Sequence, residues 1–525
     1  MENFPGNPNL EIRNPNPQAD IRQSEAMNFP DRRNWTHRLA LLALVALPAL
    51  LYWNAVWMRF GLRDDYSTLR ETHEEPGKIF AFCTSQGRPV YGLLLEHSFA
   101  RLDGINALPW ARLLGAVCIG FLCAAMALVL ERRLRWPRGQ AVLGAALLAS
   151  VPSVQVIVDW GICWPHAVAA LLAVAAFVLA DRALAAATSV GRVAGVSLAA
   201  TLLLCGMLTY QSNAMFYAVP MAAGWLAMSD RPWRERLRWL VAHGVLVGLV
   251  LAVAFLLTKA LFAGGVFRAS PRIMVEAAWL DKLGWFLREP LDNALALFVV
   301  EDARLRTAPW FNLTAIAVAT VIILGGAVEW RRRGPVAALL WWGGACGLGL
   351  LSYVVSLVAA ERWPTYRTLL PLTGVVVVYL VRSIGQLGLL WPRWGGRLAL
   401  SLTGGLVAIG AFQATQSSAD FLAEPQRAEL ARLEAAAARI DPVRQPRVFV
   451  LFPSRHDTQA DVHYLDEFGS LSGDSDWCTK EMLLLLLHER YPQQPELVQR
   501  LRLAFGHWKP PPGTYDLLID LRMRH

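Results

Sequence analysis

Charge is scarce in this sequence. Only 17% of its residues are Asp, Glu, Lys or Arg, against 55% that are hydrophobic, which excludes an ordinary soluble domain of this size. No CxxC pair and no Cys/His spacing of the zinc-binding kind occurs, so a structural metal site is not expected. No basic helix or aromatic-basic platform is present either. The formal net charge of +9 therefore does not predict nucleic-acid binding. The positive residues are mostly arginines in short clusters between apolar runs, where orientation signals belong. Residues 1–37 have no apolar period and are rich in Asn, Pro and charge, which predicts a flexible cytoplasmic tail. The first apolar run starts too late and is too long for a cleaved signal peptide; it is expected to be an anchored first span.

What the chain has in abundance is apolar runs long enough to cross a bilayer as helices. They fall at about 39–57, 108–130, 141–158, 164–181, two meeting near 210–213, 240–263, 311–328, 336–358, 369–381 and 398–412. The expected fold is an all-α polytopic membrane protein of about eleven spans over residues 38–415, followed by a small extracytoplasmic α/β domain at 416–525. With the N-terminus inside, the arginine clusters at 132–138, 182–192, 231–238, 331–333 and 382–397 all become cytoplasmic, and the turns at 159–166 and 210–213 carry no Lys or Arg. That agreement predicts a multi-pass protein of a bacterial inner membrane. Outer loops are then expected at 59–107 and 264–309. In the C-terminal domain, 420–440 reads as helix, 447–452 and 515–521 as short buried strands, and 480–490 as helix. Cys83, Cys163 and Cys478 fall on the outer side; one pair of them can form a disulfide, and the sequence does not choose which.

Arg63-Asp64-Asp65-Tyr66, just beyond the first span, is the most informative constellation. Two adjacent carboxylates at the membrane boundary can act as a general base with a supporting partner or share a divalent cation such as Mg or Mn; a solvated acidic loop is the plainer reading. Asp159, Trp160 and His166 lie in a short outer turn, where hydrogen-bonding and stacking groups suit a sugar but interfacial aromatics are common. Tyr210 and Gln211 can meet hydroxyls in a cavity or cap a tight turn. Lys259 is expected to snorkel. Trp279, Trp285 and Phe286 suggest interfacial helices framing a lipid entry. The acidic clusters at 466–469 and 474–477 can bind a cation or a glycan, but EF-hand spacing is absent and solvated loops are the plainer reading, in a domain that covers the active face or selects the acceptor.

An acidic pair directly after the first span is the hallmark of membrane-embedded GT-C glycosyltransferases, which this arrangement resembles. Gly87-Arg88-Pro89 is similar to the Gly-Arg-Pro segment of the bacterial O-antigen glucosyltransferase family, Tyr210-Gln211 to its Tyr-Gln turn, and Glu361-Arg362 to its late outer loop. The resemblance covers the membrane part, some 380 residues. It implies transfer of a sugar, glucose for that family, from a polyprenyl-phosphate donor to a cell-surface polysaccharide or lipid acceptor on the periplasmic face. Asp64 or Asp65 would be the base of an inverting displacement. Arg362 and Arg367, which break the positive-inside pattern, and Arg88 would hold the phosphate, because a planar guanidinium fork matches its oxygens. Glu361 would join the substrate contacts. A flippase or a polymerase of lipid-linked glycans is the alternative, and neither needs an acidic pair at this position.

Overall fold

In the computed structural model the described residues are 32–265, 267, 270, 274–300, 309–441, 444, 447–452, 467–493 and 495–522. Of the tail expected over residues 1–37, residues 1–31 lie outside them, as does Asp466; residues 32–37 are not a tail but begin helix Arg32–Leu51. Long apolar helices dominate. Eight are long and apolar enough to cross a membrane, or nine with one bent pair, so the chain is a polytopic helical membrane protein with fewer such helices than the eleven apolar runs.

The difference has local causes. The first run forms helix Arg32–Leu51, with Pro48 inside it, and continues as the short helix Trp53–Trp57; its apolar part is too short to count. The third is the pair Arg138–Leu148 and Pro152–Asp159, bent by 56° where Pro152 opens the second helix. The fifth and sixth merge into one helical stretch, Ser189–Ala227, broken at Tyr210, whose φ of −153° and ψ of 107° are extended. The Trp136 indole donates to the Ala223 carbonyl at 3.3 Å and the Trp239 indole to Asp181 at 2.9 Å. The Arg133 guanidinium also meets Asp181, so residues 133–136, 181, 223 and 239 share one end of the bundle. Ser189 follows helix Trp164–Leu184 by a short link, which puts both ends of Ser189–Ala227 at that end. The chain therefore turns back near Tyr210.

At the opposite end, segment 274–278 pairs with 358–360: Glu276 N–H donates to Val358 at 2.9 Å and Ala360 N–H to Met274 at 2.8 Å. Helix Trp279–Arg288 follows. It buries Lys282, Trp285 and Phe286 and exposes Trp279, Leu280, Leu283 and Leu287, as an interfacial helix does. The last apolar helix, Gly395–Ser417, runs through a π turn at Ser418–Ala423 into helix Glu424–Ala437. Beyond it stand three parallel strands, β1 (Arg447–Leu451), β2 (Arg502–Gly506) and β3 (Leu517–Asp520), in the order β2-β1-β3. Helix Asp476–Arg490 connects the first two and packs on helices Asp64–Glu74 and Glu424–Ala437. β2 was not expected: its side chains are half-buried or exposed, so it has no apolar alternation. The seven cysteines are all free thiols, and Cys83, Cys163 and Cys478 form no disulfide.

One close approach fixes the first helix. A Cβ at Gly120 would sit 2.1 Å from the Val45 carbonyl oxygen, a contact only glycine permits between packed helices. Gly120→Val should lower the stability of the detergent-purified protein by about 1–3 kcal/mol, the usual penalty of overpacking. Gly244→Val, at a glycine facing open space, should leave it unchanged. Thermal unfolding of the two variants checks this.

Candidate functional site

The acidic pair opens helix Asp64–Glu74, and its two carboxylates face different ways. Asp65 is fully buried. Its Oδ2 accepts from Leu62 N–H at 2.9 Å and Gly161 N–H at 3.3 Å, and its Oδ1 from Ile162 N–H at 2.8 Å. Both oxygens are thereby engaged in joining the loop before helix Asp64–Glu74 to the 161–163 turn. Burial pushes this carboxyl from 3.8 up to about 6; the three N–H groups and the Arg112 charge oppose that without cancelling it. Asp64 is half-buried and lines a polar cavity of about 560 Å³ with Ser67, Glu71, Lys78, Arg88, His166 and Arg367.

A second cavity of about 480 Å³ adjoins it, walled mainly by Met207, Leu251, Phe255, Val275, Val354 and Val358. The two share Gln86, Arg88, Tyr210, Trp363 and Arg367. The charge-lined chamber and the mainly apolar one thus meet at two arginines.

Local sequence explains how those arginines are held. Gly87 has φ +75°, and a Cβ there would press on Thr258 at 3.1 Å and Gln211 at 3.3 Å; the left-handed turn needs glycine. Pro89 begins the next helix at a position where its missing N–H costs nothing. Arg88 between them donates to Gln211 Oε1 at 3.2 Å and lies 4.2 Å above the Tyr210 ring, while Gln211 Nε2 donates to the Gly87 carbonyl at 2.8 Å. The helix break at Tyr210 brings these partners together. Arg367 stacks on Trp160 at 4.5 Å. Its own helix, Tyr366–Gly388, is capped by the buried Glu467, which accepts from Tyr366 N–H at 2.7 Å and Arg367 N–H at 3.2 Å, a favourable place for a carboxylate.

His166 stacks on Tyr210 with ring centroids 3.8 Å apart. Its Nδ1 lies 2.9 Å from the Cys163 carbonyl, so Nδ1 carries the proton of the neutral ring and Nε2 is an acceptor. Nε2 is buried without a protein partner, on a residue that borders the polar cavity.

The structure does not gather every expected residue. Arg362 is 40% exposed, pairs with Glu276 at 3.4 Å and lines neither cavity. Asp159 is buried and accepts from Ser418 at 2.5 Å; with Trp160 it supports the site from behind. Glu361 borders the apolar cavity, and its carbonyl receives Lys282 Nζ at 2.7 Å. Sequence reasoning missed Glu71, Lys78 and Glu481 on the polar cavity, ordinary residues that only the fold brings near; Trp477, from the cluster at 474–477, lines it too. It also missed Arg112, which donates to the Val56, Met58 and Phe60 carbonyls; a lone arginine inside an apolar run was the available signal.

The pair does not suit a shared cation. Both Asp65 oxygens are taken by N–H groups, and among the described residues no group of three or more His, Cys, Asp and Glu is arranged to hold a metal. No protein-family model matches the chain, and no curated protein matches it significantly.

The buried carboxyl sets a pH dependence. Because its folded value of about 6 lies above its ordinary 3.8, the protonated form is favoured in the fold. The stability it contributes is full below pH 4 and lost as pH rises through 6, roughly 3 kcal/mol in all. Asp65→Asn should remove that component. The stability of wild type relative to the variant should therefore fall between about pH 4 and 6, the window set by those two values, measured by thermal unfolding in detergent; a flat difference would contradict the assignment.

Proposed function

We propose that this chain is a GT-C type glycosyltransferase that moves a sugar from a polyprenyl-phosphate donor to a hydroxyl of a surface glycan or lipid. The observation that carries the reading is the pair of joined chambers with Arg88 and Arg367 at their junction and Asp64 in the polar one. A lipid-linked sugar has the same three parts in the same order: an apolar chain, a phosphate and a polar ring. The apolar chamber suits the first prenyl units and the arginines the phosphate. The polar chamber suits the sugar, with Asp64 and the His166 ring on its lining.

The chemistry follows from that placement. Asp64 takes the proton from the acceptor hydroxyl as its oxygen attacks the anomeric carbon. The bond from that carbon to the phosphate oxygen breaks, the electron pair leaves with polyprenyl phosphate, and the configuration inverts. Charge grows on the leaving phosphate where two guanidinium groups already stand, which lowers the barrier. Asp65 holds the turn and does not react. We read eleven crossings: the eight long helices, the bent pair, the first helix and the doubling of Ser189–Ala227. The arginine-rich end is read as cytoplasmic, in a bacterial inner membrane, and the C-terminal domain as periplasmic. A flippase or polymerase would also use the arginines but gives Asp64 no task.

Purified protein given a synthetic polyprenyl-phosphate sugar and an acceptor glycan tests this. Asp64→Asn should lower transfer by about 100-fold or more, as loss of a general base does. Arg88→Ala and Arg367→Ala should each lower kcat by about 100-fold, whereas Arg362→Ala should stay close to wild type. Full activity in Asp64→Asn would overturn the proposal.

A further inference from the structure

The backbone immediately before the acidic pair is strained. Arg63 has φ +43° and ψ −103°, a conformation that costs a non-glycine residue energy and persists only where the surroundings impose it. The strain has a geometric result. It lets Leu62 N–H reach Asp65 while the next helix starts at once, so that two adjacent carboxylates point apart, one into the 161–163 turn and one into the cavity.

What imposes the conformation comes from some four hundred residues away in sequence. Ser472 Oγ accepts from Arg63 N–H at 2.9 Å, the Cys478 thiol points at the Arg63 carbonyl at 3.6 Å, and Asp474 pairs with the Arg63 guanidinium at 2.8 Å. The ion pair is sealed, with side chains 2% and 0% exposed. The donor, the acceptor and the side chain of one residue are thus all met by the segment 472–478. That segment is anchored in turn. Gln426 Oε1 accepts from the Ser472 N–H at 3.2 Å and hydroxyl at 2.6 Å, and Glu429 Oε1 from Gly473 N–H at 2.9 Å. Both belong to helix Glu424–Ala437, the continuation of the last apolar helix. A second strap lies about two turns along, where Arg70 meets both oxygens of Glu481.

We propose that Ser472 and Asp474 are positioning residues of the catalytic centre, and that the C-terminal domain completes that centre by holding Arg63 in the conformation that aims Asp64 into the polar cavity. This rests on the reading of Asp64 as the base. The domain is then part of the catalytic unit, braced against the last apolar helix, and not an appended binding module. Trp477 of that segment and Glu481, further along helix Asp476–Arg490, line the polar cavity, so brace and wall are one piece. The buried pair is suited to this use. An ion pair removed from water adds little net stability compared with apolar packing, but it fixes one geometry and penalises the loss of either partner.

The test uses full-length purified protein, with Asp474→Asn, the milder Ser472→Ala, and Arg447→Ala as a control at an exposed ion pair elsewhere in the domain. Two readouts are taken: hydrogen exchange over residues 61–66, and transfer kinetics with a synthetic polyprenyl-phosphate sugar. In Asp474→Asn and Ser472→Ala, exchange over 61–66 should rise while the apolar helices keep their protection. In Asp474→Asn kcat should fall about 100-fold with donor KM within about twofold, the pattern of a misplaced reacting group. Arg447→Ala should change neither. If Asp474→Asn does not fold, Ser472→Ala decides, with the same signs and a smaller kcat loss. Wild-type exchange over 61–66 in the variants, or wild-type kcat despite raised exchange, overturns the proposal. Wild-type protein that transfers no sugar overturns the transferase reading instead, and the exchange data then still decide whether the domain braces the acidic turn.

Discussion

The Asp65 carboxylate is the constraint on which the site depends. It is fully buried and held by N–H groups from two loops that are about a hundred residues apart in sequence. A buried carboxylate without such donors would be prohibitively costly, and loops without the carboxylate would leave three N–H groups unmatched. Each side therefore requires the other. Once they are joined, the start of helix Asp64–Glu74 is fixed against the 161–163 turn, and with it the direction of Asp64 and the position of His166 three residues past Cys163.

The second organising feature is the meeting of a mainly apolar chamber and a polar one at two cations. Arg88 and Arg367 are each stacked on an aromatic ring, Tyr210 and Trp160, which holds a guanidinium plane in place without consuming all its donors. Their backbones are set by separate devices: a left-handed glycine and a helix-starting proline around Arg88, and a carboxylate cap from the C-terminal domain at the helix of Arg367. Fixed positive charge in a site of low dielectric acts on a developing anion with little reorganisation. A phosphate at that junction would have its lipid in one chamber and its sugar in the other.

Much of this was legible in the sequence, for definite reasons. Apolar length foretold the helices, and the arginine clusters foretold which segments share an end, because both follow from transfer energies local in sequence. Gly87-Arg88-Pro89 was singled out by its resemblance to a family segment; the left-handed Gly87 that shapes the turn was not read from it. The division of labour between Asp64 and Asp65 was not legible, since adjacency says nothing of which way each side chain points. Arg362 and Arg367 looked equivalent in one loop; only the fold shows Arg362 turned to Glu276 and Arg367 turned inward. Asp474 read as a solvated acid because its partner, Arg63, lies at the far end of the chain. Strand β2 was missed for want of a buried face.

The most direct measurement is an electron cryo-microscopy structure of the protein in lipid nanodiscs with a non-transferable phosphonate analogue of a polyprenyl-phosphate sugar. The account predicts the prenyl chain in the apolar cavity beside Phe255 and Val354, the phosphonate between Arg88 and Arg367, and the sugar within reach of Asp64 and His166. An analogue bound elsewhere, or bound with its sugar at the arginine-rich end by Arg133 and Arg333, would contradict it.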